Sequence, residues 1–304
     1  MKRVLLVGLM VFAFIVSFTA VSWAQQKVLI AASVANQINQ AWINMAKGIK
    51  EECQKMGFDL ILIDAQDKTA KQIADTEDAL AKNPKVLLFN GIDKGAASVA
   101  ETAKQKGIPV IFLGRDYGGA TCFIGADNYT TGVMFTEYHA KMAAGKEYKF
   151  IAITGTPGAA SSVEREKGMD ATLPKFANLK LVDRQAGYYR RDKTLPVAED
   201  LLQRHKDVKG IMGWNDEVAM GALAAAKSQN RTGLIITGGD GNRDTVEAIV
   251  KGEVHASLMY DLKGIGHLGV QMAAKLIKGE EVKKIIYVPQ VWITKENAQQ
   301  FLQQ

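Results

Sequence analysis

Ile211-Met212-Gly213-Trp214-Asn215, followed by Ile235-Ile236-Thr237-Gly238-Gly239-Asp240, decides the fold. Each stretch is an apolar run that stops on a polar side chain. The same grammar occurs earlier in Val86-Leu87-Leu88-Phe89-Asn90 and Ile111-Phe112-Leu113-Gly114-Arg115. Asn90 and Arg115 lie 25 residues apart, and so do Asn215 and Asp240. Small pairs follow the asparagines in the next helical pattern, Gly95-Ala96 in one half and Gly221-Ala222 in the other. A short continuous apolar run reads as a strand buried on both faces. Repeated strands of this kind, with helices between them, predict an α/β protein of two similar doubly wound parallel-sheet lobes.

The rest of the chain extends the pattern. Strands are predicted at 28–34, 60–63, 86–89, 110–113, 122–124, 150–154, 179–182, 211–214, 234–237, 257–260 and 285–288. Helices are predicted at 41–55, 70–81, 95–106, 131–143, 162–176, 196–204, 217–228, 245–250 and 266–277. Thr69 and Asp244 are expected as N-caps. Gly57, Gly107 and Gly145 sit just past helix ends, where a left-handed residue is wanted.

Composition limits the alternatives. The 304 residues are 47% hydrophobic and 23% charged, which is ordinary for a globular chain. Two cysteines exclude a disulfide scaffold and a multi-cysteine zinc module. Cys53 falls in a helical pattern and Cys122 in a strand, so a disulfide and two buried thiols both remain open. The four histidines, His139, His205, His255 and His267, have no short ligand spacing, so no metal site is predicted.

The first residues read as an export leader. Lys2 and Arg3 precede an apolar run from Val4 to Val16, and Ser22-Trp23-Ala24 offers small residues at the cleavage positions. Cleavage after Ala24 is expected. It removes two cations and no anions, lowering the formal charge from +6 to +4. The remaining lysines are scattered among acids, with no basic stripe interleaved with aromatics, which argues against a nucleic-acid partner.

In open parallel sheets, ligands bind outside the carboxyl ends of the strands. Asn90, Arg115, Asn215 and Asp240 all fall at such ends. If the lobes face each other there, the four side chains converge on one cleft. Asn brings donors and an acceptor, Arg a fixed fork of donors, and Asp two acceptor oxygens. This chemistry suits a neutral polyhydroxylated ring.

The chain resembles the ribose/galactose-binding family of periplasmic sugar-binding proteins, the type I substrate-binding components of ABC transporters. The most specific stretch is Trp214-Asn215-Asp216-Glu217-Val218-Ala219-Met220-Gly221-Ala222-Leu223, close to that family's N-D-E-M-A-L-G-A-L run. Gly107-Ile108-Pro109-Val110, Ile124-Gly125-Ala126-Asp127-Asn128 and Gly238-Gly239-Asp240-Gly241 support it. The resemblance spans residues 27 to about 294. It implies a sugar site: Asn39 and Trp42 from the first loop, Asn90 and Arg115 from the first lobe, Tyr189, Asn215 and Asp240 from the second, and Tyr260 at a hinge crossing. The family's cleft arginine aligns with Val163, and Arg165, two residues on, is assigned in its place.

Departures from the family pattern redirect the expected specificity. Gly114 stands where the family has the carboxylate of an Asp-Arg pair, Ala41 replaces one aromatic, and Gly239 replaces another. An anion and two rings are gone, which points away from ribose and toward a roomier pocket for a hexose, a polyol or a non-sugar.

Other motifs carry less. Gly264-Ile265-Gly266-His267-Leu268-Gly269 fits G-x-G-x-x-G. The chain after it is too short for a second mononucleotide half, so close helix packing is the expected role. The motifs of serine hydrolases, phosphate-loop enzymes and zinc proteases are missing from the sequence. An enzyme is therefore not expected, and no cofactor is implied.

The function expected from the sequence is an exported, monomeric periplasmic receptor. It closes two lobes around a sugar or polyol and delivers it to a membrane ABC permease. A sensory receptor serving a chemoreceptor or signalling kinase is the alternative; an enzyme on a similar frame is a weaker one. The expected division is residues 1–24 as leader, 25–126 with 261–289 as the N-terminal lobe, and 127–260 with 290–304 as the C-terminal lobe. Crossings are placed near Ala126–Asp127, Tyr260–Asp261 and Pro289–Gln290, making a three-segment hinge.

Overall fold

A computed structural model describes residues 27–303; the leader reading falls outside them. Two six-stranded sheets carry the chain. The first has the order β11-β5-β4-β3-β1-β2 and the second β12-β10-β9-β8-β6-β7. The first contains β1 (Leu29–Val34), β2 (Asp59–Asp64), β3 (Val86–Phe89), β4 (Val110–Leu113), β5 (Cys122–Gly125) and β11 (Ile285–Tyr287). The second contains β6 (Tyr148–Thr154), β7 (Leu179–Ala186), β8 (Gly210–Gly213), β9 (Ile235–Gly239), β10 (Ala256–Met259) and β12 (Val291–Thr294). Listed from the other edge, each lobe follows one plan: second strand, first, third, fourth, fifth, then a late strand. The repeat in the sequence is therefore a repeat of architecture.

All pairings in the first sheet are parallel. In the second, β12 runs antiparallel to β10. This strand is missing from the sequence prediction. Val291 to Thr294 is short and half-buried on the sheet edge, so it lacks the continuous apolar run that marks the central strands.

The chain changes sheet three times: between β5 and β6, between β10 and the α9 helix (Leu262–Ile277), and between β11 and β12. Helix α9 packs on α1 (Gln40–Met56) over the first sheet. Helices α4 (Asn128–Ala143) and α5 (Ala160–Thr172) make the matching pair over the second. Glycine permits the close approach in both pairs. A Cβ on Gly266 would lie 2.3 Å from the Met45 carbonyl oxygen, and one on Gly132 would lie 2.0 Å from that of Arg165. The G-x-G-x-x-G stretch thus serves helix packing.

The first core packs Ile30, Leu88, Phe89 and Ile111 against Met45, Ile49, Ile265 and Val270. In the second lobe Ile151, Ile211, Val218 and Leu201 fill one face, while Phe135, Phe150 and Trp214 fill the other. Cys53 and Cys122 are free and buried, and burial pushes both thiols up to about 11.

Two expected caps are corrected. Lys68 precedes α2 (Thr69–Leu80), and the Thr69 hydroxyl donates to Asp93 at 2.7 Å. Asn242 precedes α8 (Arg243–Val250), and Asp244 pairs with Arg191 at 2.6 Å. Each side chain instead reaches a partner distant in sequence, although Asp244 Oδ1 also accepts from Thr245 N at 2.9 Å. Gly57, Gly107 and Gly145 do adopt left-handed backbone, at φ 71°, 70° and 76°.

Candidate functional site

The loop after β1 is organised by two asparagines. Asn36 Oδ1 accepts from the Ile38 and Asn39 amides, and Asn39 Oδ1 then caps α1 by accepting from Ala41 N at 2.9 Å. This fixes the first turn of α1, and Trp42 on that turn is buried. Asn39 Nδ2 donates to the Tyr189 carbonyl of the other lobe at 3.3 Å.

Asn90 follows β3 and is fully buried. Its Oδ1 accepts from Ala35 N at 3.3 Å and its Nδ2 donates to the Leu113 carbonyl at 2.8 Å. The side chain thereby ties together the ends of β1, β3 and β4. After β4, Gly114 turns the chain at φ 72°. Arg115 then donates Nη1 to the Gly91 and Ile92 carbonyls at 2.7 and 3.1 Å. Its guanidinium lies 4.9 Å from the Trp42 ring centroid and 5.5 Å from that of Tyr189.

The second lobe presents Tyr189. Tyr188 and Tyr189 both adopt left-handed backbone at φ 58°, and only the second points inward: Tyr189 is 6% exposed and Tyr188 48%. Gly155 makes room for that ring, since a Cβ there would lie 2.0 Å from Tyr189 Cζ. The Tyr189 hydroxyl meets Ser161 Oγ at 3.0 Å. Arg165, one turn after Ser161 on α5, donates Nε to Asn128 Oδ1 at 3.0 Å, Nη2 to the Tyr260 hydroxyl at 3.3 Å and Nη1 to the Trp214 carbonyl.

Asn215 caps α7 (Asp216–Ser228) by accepting from Val218 N, and its Nδ2 donates to Asp240 Oδ2 at 3.2 Å. Asp240 has φ 130°, a backbone conformation that side-chain-bearing residues rarely adopt. Burial, and then the nearby Asp216 carboxylate, hold its pKa well above the ordinary carboxylate range. Burial raises Asp216 to about 7, against the hydrogen bonds it accepts from Ser257 Oγ and Asn242 N.

Trp42, Ser161, Arg165, Tyr189, Asn215, Asp240 and Tyr260 enclose a cavity of about 10 Å³ between the lobes. That is room for about one water molecule. Six of the nine side chains singled out from sequence line it. Asn39 and Arg115 touch its Tyr189 wall, and Asn90 lies behind it on backbone groups. Arg165, assigned two residues out of alignment, lies inside. Ser161 escaped the sequence reading, although its i, i+4 spacing from Arg165 places both on one helix face. Among the described residues, no roomier pocket opens where the aromatics are lost. Trp42, Arg115 and Tyr189 stack into the space instead.

A family model described as a periplasmic binding protein domain matches residues 30–281. The chain is 34% identical over 263 residues to the ribose import binding protein of Bacillus subtilis, covering 86% of this chain and 85% of that one. It is similar in structure to an ABC transporter solute binding protein from Mycobacterium smegmatis with bound glycerol. The TM-score is 0.87 at 30% identity, covering 91% and 98% of the two chains. A solute binding protein from Bacillus halodurans with bound myo-inositol matches at TM-score 0.85 and 25% identity, covering 91% and 98%.

Proposed function

The chain belongs to the periplasmic binding protein domain family, and from that premise we propose that it is an exported receptor for a polyhydroxylated solute, serving an ABC import permease. The observation that carries the reading is the inter-lobe cavity itself. One lobe supplies Trp42 and the other supplies Tyr189, Asn215 and Asp240, so a solute there is held only when both lobes meet. An aromatic face on each side of the cavity suits the C–H face of a sugar ring, and Asp240 and Asn215 suit its hydroxyls. Relatives named for ribose import, and structural neighbours titled with bound glycerol and myo-inositol, support this ligand class.

Asn39, Trp42, Arg115, Arg165, Tyr189, Asn215, Asp240 and Tyr260 are assigned to solute contact. Asn90 is assigned to holding the strand ends that present them. Mechanistically, the lobes rotate about the three crossings, the solute completes the interface, and the permease engages the closed form.

Titration calorimetry against a panel of pentoses, hexoses and polyols tests the reading. At least one member is expected to bind. Asp240→Ala is expected to weaken that binding by about 1.5–3 kcal/mol, the worth of a hydrogen bond to a charged group. No binding by any member removes the sugar assignment, and unchanged affinity in Asp240→Ala misplaces the site.

A further inference from the structure

Two guanidiniums, one from each lobe, share the Tyr189 ring. Arg115 lies 5.5 Å and Arg165 6.0 Å from its centroid, and both side chains are 2% exposed. Among the described residues, neither spends its hydrogen bonds on a carboxylate. Arg115 donates to the Gly91 and Ile92 carbonyls. Arg165 donates to the Asn128 amide oxygen, the Trp214 carbonyl and the Tyr260 hydroxyl. Arg115 Nε is buried with no partner among the described residues.

The carboxylates nearby do not settle this charge. Asp240 is the one acid among the described residues that line the cavity, and its Oδ2 is taken by Asn215. Asp216 stands behind it, and its oxygens face Ser257 and Asn242. Arginine stays charged at any physiological pH, and a buried charge is costly unless paired. Two guanidiniums against the Asp240 carboxyl alone leave at least one positive charge on the cavity wall. A planar monoanion fits that charge and matches the fork geometry of guanidinium donors.

We propose that the solute carries a single carboxylate, as aldonic and uronic acids do, and that Arg115 and Arg165 receive it beside the Tyr189 ring. Asp240 and Asn215 then take its hydroxyls. This rests on the receptor reading above and narrows it from polyols to acidic polyols. Arg115 becomes the specificity-determining residue: its free Nε–H is a donor waiting for an acceptor.

The test is calorimetry with matched pairs: ribitol and D-ribonate, galactitol and D-galactonate, D-glucose and D-glucuronate. In at least one pair the acid is expected to bind tenfold or more tighter than its neutral partner. Arg115→Gln is expected to shrink that ratio below threefold, while Arg115→Lys, which keeps the charge, retains a preference for the acid. Thermal melts of both variants verify that they fold. If neutral members bind as tightly as acids, or a sugar phosphate outbinds both, the inference is overturned and the receptor reading stands. If Arg115→Gln keeps the full ratio, the arginine assignment is overturned. If no member of any pair and no neutral sugar binds, the receptor reading itself fails.

Discussion

Asp216 and Asp240 place two carboxyl groups in the interior, and among the described residues no cation is hydrogen-bonded to either. Asp216 sits in the first turn of α7, where the helix N-terminus favours its anion by about 0.3–1 kcal/mol. Full burial moves a carboxyl by up to about 3–5 pKa units the other way, so burial wins and the group titrates near 7. The sign follows. A carboxyl whose pKa rises on folding holds its proton more tightly in the folded state, so it costs stability above its folded pKa. That cost is relieved as pH falls through about 7 toward the unfolded value of about 3.9. Asp216→Asn removes the charge and keeps an acceptor for Asn242 N. It should therefore be more stable than the parent at pH 8, by on the order of 2–4 kcal/mol, with the gain clearly smaller at pH 5 and gone only below about pH 4. Urea unfolding at the two pH values checks this. An equal difference at both would mean that Asp216 is not an ionising group of the interior.

Among the helices, α9 and α1 show what glycine does at an interface. Gly266→Ala inserts a methyl 2.3 Å from the Met45 carbonyl oxygen, which the helix backbone cannot yield cheaply. The expected loss is about 1–3 kcal/mol of stability, read as a lower urea midpoint with an unchanged slope. A midpoint within error of the parent would mean that the helices separate freely there. The same element explains what was legible in the sequence. Central strands were readable because burial on both faces leaves an unbroken apolar run, and polar residues at their ends marked the rim. Edge strand β12 has one half-buried face and gave no such run. Thr69 and Asp244 looked like caps because local spacing is all that sequence displays, whereas their partners Asp93 and Arg191 come from elsewhere in the chain. Asn90 shows the limit for the site: its strand-end position was readable, but not that Ala35 and Leu113 would claim its amide. Arg165 was two positions off in alignment, yet its helical turn from Ser161 puts it on the cavity face.

At the scale of the whole molecule, the lobes meet outside the cavity as well as in it. Asp67, in the loop after β2, is held by Asn36 Nδ2 at 2.8 Å and lies 3.7 Å from Arg190 Nη1 of the opposite lobe. Arg190 is itself oriented by a two-point contact with Asp192, both bonds at 2.9 Å. These groups line a groove of about 470 Å³ along the mouth of the cleft, beside the exposed Ile38. An ion pair as exposed as this one contributes about 0.2–1 kcal/mol. If it forms only when the lobes close, it changes the fraction of closed molecules, and apparent affinity scales with that fraction. Arg190→Ala should then weaken solute binding about 1.5- to 5-fold, mainly through faster release. The parent's affinity should fall with added salt toward that of the variant, because salt screens a surface pair. Stopped-flow release and calorimetry at two salt concentrations measure both effects. A tenfold or greater loss would make Arg190 a solute ligand, and identical affinities at low salt would mean that the pair gives no help to closure. Either result would shift the seal of the cleft to Asn39 and the Tyr189 carbonyl, the hydrogen bond that joins the lobes at the cavity edge.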